Sequence, residues 1–243
     1  MKYFFITKLS VLFIVFSIFQ SCTQTSESET AAGQQDTKEV VEENTNIENI
    51  KLAQITGEFE TKSLALKEGS YQFEIANKGV DHEVGFVLVP KGKYDEADHI
   101  KAAYVTAPVS DGSSSMTKVV SLEAGEYEYF CPLNPTPKYS LTVGDVDEIK
   151  LTQVSGEFMT ASLELEKGLY QFEIANDGVD HEVGFVLVPK GKYDATDHIK
   201  AAYVTAPVAE GSSSMTKVVS LEAGEYEYFC PLNPTPKYSL TVK

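Results

Sequence analysis

From Lys51 to Val143, and again from Lys150 to Val242, the chain carries one segment twice, aligned without a gap at an offset of 99 residues and differing at 14 of 93 positions. A period this long exceeds that of solenoid and propeller repeats, so each copy must bury a core of its own. Two tandem domains are expected, residues 50–143 and 150–243, joined by the acidic stretch 144–149.

Within a copy the pattern is that of strands. Tyr71, Phe73 and Ile75 alternate with Gln72 and Glu74, and Asn77-Lys78-Gly79 then reads as a turn. His82–Val89 reads as a second strand stopped by Pro90, Val119–Leu122 as a third, Glu126–Cys131 as a fourth and Leu141–Val143 as a last. Several strands separated by Gly, Pro and Asn turns within about 90 residues predict an antiparallel β-sandwich. Over Tyr94–Val105 the alternation lapses, and Asp95 or Asp98 is placed to cap one or two helical turns. The expectation is therefore all-β, with a short helical insertion in each domain.

The start of the chain has a different character. Lys2 and Lys8 precede the apolar run Leu9–Phe19, which is shorter than the roughly 20 residues of a membrane span and reads as a signal peptide over residues 1–21. Phe19-Gln20-Ser21-Cys22 resembles the processing site of a bacterial lipoprotein, which implies a lipid on Cys22 and residence at the outer membrane, facing periplasm or cell surface. Residues 22–49 are polar and acidic, too poor in apolar surface to offset ordering, and read as a flexible tether. The whole chain has a formal charge of -16 and no arginine. That field repels nucleic acid and anionic headgroups, and leaves a cation or a basic partner compatible.

Setting Cys22 aside leaves one cysteine per domain, Cys131 and Cys230, so no disulfide can form within a domain. A lone thiol in an exported protein is buried, ligating, or bridged to its twin. In the fourth strand Tyr127, Tyr129 and Cys131 share one face and Glu126 and Glu128 the other, so the thiol points with the two tyrosines toward the core. Pro132, Pro135 and Pro137 then hold a stiff loop, a suitable frame for a metal ligand.

GEYEYFC, a short loop and SLTV, identical at Gly125–Val143 and Gly224–Val242, resemble the C-terminal part of cupredoxins of the plastocyanin and amicyanin group. Asn77-Lys78-Gly79-Val80 followed by His82 resembles that family's first-histidine region. The resemblance implies two tandem Greek-key β-sandwiches, with His82 and His181 matching the upstream histidine ligand and Cys131 and Cys230 the thiolate of a copper site. The loop departs from the family, because Asn134 and Asn233 stand where the second histidine belongs and Pro137 and Pro236 where the axial methionine belongs. A type 1 site needs two imidazoles and a thiolate. One imidazole and one thiolate still suit Cu(I), or part of a zinc site, with Met116 or Tyr139 as candidate further ligands.

His99 and His198 have no recognisable partner and read as surface residues. With no phosphate loop, no paired-histidine helix and no nucleophile beside a base, the chain does not read as an enzyme. Two functions remain open. One is a membrane-anchored copper protein for storage, delivery or electron transfer, with a redox or metal-delivery protein as partner. The other is a metal-free β-sandwich serving as a binding or spacer module of the cell envelope.

Overall fold

The computed structural model describes residues 46–243. The expected signal peptide, Cys22 and most of the expected tether lie outside them.

Each copy is a sandwich of two sheets. In the first copy one sheet holds β1 (Ile47–Ile55), β2 (Glu58–Phe59), β4 (Gly69–Asn77), β6 (Ser114–Met116) and β7 (Val120–Leu122), in the order β2-β1-β4-β6 with β7 also on β4. The other holds β3 (Ser63–Leu66), β5 (Val87–Pro90), β8 (Gly125–Phe130) and β9 (Tyr139–Val143), in the order β3-β9-β8-β5. The second copy repeats both sheets in the same order over Val146–Val242.

Side chains from both sheets meet in one core per copy. Leu52, Phe73, Ile75 and Leu122 come from the first sheet, and Leu88, Tyr129 and Leu141 from the second. Leu151, Phe172, Ile174, Leu221, Leu187, Tyr228 and Leu240 do the same in the second copy. Each such side chain contributes about 1.5–3 kcal/mol on removal from water. Phe59 meets Tyr129 edge-on at 5.3 Å and Tyr139 at 5.8 Å, the quadrupole-favoured arrangement.

The alternation in β4 and β8 holds: Tyr71, Phe73 and Ile75 are buried, as are Tyr129 and Cys131. Four expectations need correction. The sheets are not wholly antiparallel, since β1 runs parallel to β4 from Ile47 beside Ser70 to Gln54 beside Asn77, and β3 runs parallel to β9. The chain leaves the first sheet after β2, crosses to the other for β3, and returns as β4. A crossover of that kind is what lets neighbouring strands point the same way.

Strand β1 begins at Ile47, inside the expected tether, and its counterpart β10 (Val146–Val154) begins inside the expected linker, leaving Gly144 and Asp145 between strands. The outer ends of these strands are exposed and pair through backbone, so they carry no hydrophobic signature. The second strand is shorter than expected: only Val87–Pro90 pairs with β8, and Val84 makes an isolated bridge to Val109.

The helical insertion is two single 3-10 turns, Glu96–Asp98 and Lys101–Ala103, with Asp95 before the first making no side-chain cap. Ile100, extended at φ -73° and ψ 90°, packs on the core and separates them. In the second copy only Lys200–Ala202 forms such a turn.

Candidate functional site

Strand β8 delivers Cys131 to the core end of the 132–137 loop, where it is 1 % exposed. Its Sγ accepts two backbone N–H groups, from Gly85 and from Asn134, each at 3.2 Å. Cys230 receives the same pair from Gly184 and Asn233 at 3.2 Å. The Cys131 N–H donates to Thr136 Oγ1 at 3.0 Å, closing the loop on itself. Both thiols are free, so the bridge between twins is not formed.

At Asn134, the position that the cupredoxin resemblance would give to a second imidazole, the carboxamide is fully engaged. The Oδ1 accepts the Gly57 N–H at 2.7 Å, while Nδ2 donates to the Ile55 carbonyl at 2.9 Å and to Gln54 Oε1 at 3.2 Å. Gln54, itself buried, donates onward to the Gly85 carbonyl at 2.7 Å. The chain of bonds therefore runs from the loop through the end of β1 to the segment that also bonds the thiol. Asn233 repeats the pattern with Gly156, Val154 and Gln153. Buried polar groups without partners cost about 1–3 kcal/mol each, which is why such an amide is used completely.

His82 lies against the loop that follows the thiol. Its side chain is 48 % exposed, with Nδ1 2.8 Å from Asp81 Oδ1 and Nε2 3.1 Å from the Leu133 carbonyl. His181 pairs likewise with Asp180 at 2.8 Å. Because residues 82–86 precede the paired part of the second strand, the ladder does not turn His82 inward. Val84, fully buried, and Gly85 take the inner places beside the loop.

Met116 is half-buried on β6 opposite Glu74, and Tyr139 lies among Phe59 and Tyr129. Pro137 and Pro236 supply no donor. Among the described residues no three His, Cys, Asp or Glu side chains are grouped to hold a metal ion. A trigonal copper site needs two imidazoles and a thiolate, and the donor set present does not fit it: each copy offers one half-exposed imidazole whose Nδ1 is taken by a neighbouring aspartate, and an engaged amide stands in for the other.

His99 differs from its reading as an unpartnered surface residue. It is half-buried, with Nδ1 2.7 Å from the Tyr104 hydroxyl and its ring edge-on to Phe130 at 6.2 Å. Burial, and then the charge of Glu96, pushes the Tyr104 phenol above its ordinary range. Glu128, on the outward face as expected, accepts the Tyr94 hydroxyl at 2.6 Å, which with the Gly92 N–H holds its carboxyl below the usual range. Asn77 was not singled out in the sequence beyond its place in a turn. Buried, it donates to the carbonyls of Val80, His82 and Val109 and accepts the Val80 N–H, holding the turn into the His82 segment.

No family model matches the chain, and no curated protein does. Solved structures do. Auracyanin A, a blue copper protein from the green thermophilic photosynthetic bacterium Chloroflexus aurantiacus, is 14% identical with a TM-score of 0.34, over 40% of this chain and 98% of its own. Auracyanin B is 21% identical with a TM-score of 0.33, over 43% of this chain and 93% of its own. A blue copper oxidase from Nitrosomonas europaea is 10% identical with a TM-score of 0.32, over 81% and 86%. At these identities and scores the likeness says nothing of how this chain works, and the fold rests on its own strand pairing.

Proposed function

We propose that the chain is a metal-free, non-enzymatic β-sandwich module of the cell envelope, anchored by a lipid on Cys22, holding two copies of one surface away from the membrane. The observation that carries this reading is the engagement of Asn134 and Asn233: in both copies the amide ties the loop to the end of the first strand of that copy, β1 or β10, in the place a copper-binding imidazole would need. The pairing of His82 with Asp81 and of His181 with Asp180 supports it.

One observation favours a second reading. Each sulfur accepts two backbone N–H groups, the kind of hydrogen bonding found around a copper-binding cysteine, which would favour Cu(I) held at Cys131 and Cys230 with His82 and His181 swinging inward, for delivery to a protein partner. Elemental analysis after anaerobic loading with Cu(I) and, separately, with Zn(II) decides between them. The metal-free module retains no stoichiometric metal and its melting temperature is unchanged. Retention of one copper per copy, lost in C131S plus C230S, refutes it. A metal present at a hundred times its Kd would add about 2.7 kcal/mol to stability, well within reach of a melting experiment.

A further inference from the structure

Between the 3-10 insertion and the 132–137 loop of the first copy lies an open cleft of about 450 Å³. Gly85, Phe86 and Val87 line it together with Tyr94, Tyr104, Leu133, His99 and Glu96. Leu133 is 57 % exposed. Of the eight large hydrophobic side chains exposed among the described residues, five (Tyr94, Leu133, Tyr193, Tyr203 and Leu232) belong to this cleft or hold the matching places in the second copy. The copies differ at 9 of their first 20 aligned positions and at 5 of the remaining 73, and of the cleft residues only Glu96 is changed, to Ala195. The second copy keeps the same framework, with His198 Nδ1 2.7 Å from the Tyr203 hydroxyl.

The walls are aromatic and aliphatic, and the charge is one-sided. Glu96 is the only carboxylate lining the cleft, no lysine lines it, and Glu96 forms no ion pair with any described residue. Lys138 covers the Tyr94 ring, 3.2 Å from its centroid, without lining the cleft, so that ring already accepts a cation on one side. Aromatic faces with a carboxylate beside them attract an organic cation, and a cavity of this size suits a small molecule. The acidic field of the whole chain draws cations toward it.

We propose that this cleft binds a small organic cation, an ammonium group on an aromatic or branched aliphatic body, with the body against Tyr104 and Leu133 and the ammonium at Glu96. The second copy, with Ala195, binds the same body more weakly. The site shares Gly85 and Leu133 with the wall around the thiol but uses neither the sulfur nor a metal.

The test is calorimetric titration of the full chain in detergent with phenethylammonium, with phenylacetate and 2-phenylethanol as controls of the same shape. Two classes of site are expected, the first about fivefold tighter, as one half-exposed ion pair supplies. E96A reduces the titration to a single weak class, and A195E raises the second site to the first. L133S plus L232S abolishes both classes with the urea midpoint unchanged, since both leucines are exposed. Absence of saturable binding at millimolar probe overturns the proposal, as does phenylacetate binding as tightly as the amine. So does an unchanged titration in E96A or in the double leucine variant.

Discussion

Replacing Asn134 with Ala separates a structural amide from a vestige of a metal site. The substitution leaves three groups without their partner: the Ile55 carbonyl, Gln54 Oε1 and the Gly57 N–H. Gln54 Oε1 lies in the interior and forfeits about 1–3 kcal/mol. The Ile55 carbonyl and the Gly57 N–H, both half-buried, recover part of their bonds from water and forfeit about 1 kcal/mol each, so the sum is about 3–5 kcal/mol. For a domain of this size that corresponds to a fall of at least about 12 °C in melting temperature.

Urea denaturation followed by circular dichroism is the assay, and the second copy provides an internal reference. N134A draws a transition for the first copy to lower urea, leaving the second in place, and adding N233A brings the two together again. Asn134→His, which places an imidazole there, suffers a similar loss, because an imidazole cannot accept from Gly57 and donate to two oxygens at once. A loss below about 1 kcal/mol in N134A would refute the reasoning, since it would show the amide network to be replaceable by water.

Alkaline stability follows from the buried phenols: burial first, then the Glu48 charge, pushes Tyr71 up to about 12, burial and then Tyr238 does the same for Tyr228, and Tyr129 shifts in the same direction. The unfolded chain loses these protons near 10 and the folded one does not, so stability is complete below about pH 10 and falls as pH rises toward about 12; phenolate absorbance should rise in two phases, the second coinciding with unfolding. Gly79→Ala and Gly178→Ala, at φ 82° and 78° with open space around the new methyl, cost about 1–2 kcal/mol each from backbone conformation alone. Gly85→Ala, whose methyl would meet Leu133 Cδ1 at an ordinary 3.6 Å, serves as the near-neutral control in the same urea titration.

The strands legible in the sequence were those with one face in the core. Tyr71, Phe73 and Ile75, and Tyr129 with Cys131, announce their direction by alternation, and the structure keeps it. Ile47–Asn49 announce nothing, because that end of β1 is exposed and held by backbone pairing with Ser70–Gln72. The parallel registers were equally hidden, being a property of which sheet the chain visits between strands. At the candidate site the inward thiol was legible from its strand, whereas the orientation of His82 was not, since no ladder extends to residue 82. The role of Asn134 escaped because its partners lie 77–80 residues earlier in the chain, and only the folded sheets bring them together.

The parallel pairing of β3 with β9 joins Ser63 to Ser140, 77 residues on. The identical Tyr-Ser-Leu-Thr-Val segment recurs in β18 (Tyr238–Val242), with Ser239 lying 176 residues from Ser63. Strand β3 thus meets two templates with the same side chains and the same backbone donors, and nothing in either template tells them apart. Discrimination falls to the entropy of closing the longer loop, about 0.7 kcal/mol, a preference of only a few fold. Refolding from denaturant should accordingly pass through chains whose first copy has borrowed the last strand of the second, and between molecules the same exchange yields swapped dimers. Synthesis from the amino terminus counters this error, because β9 emerges and pairs before β18 exists.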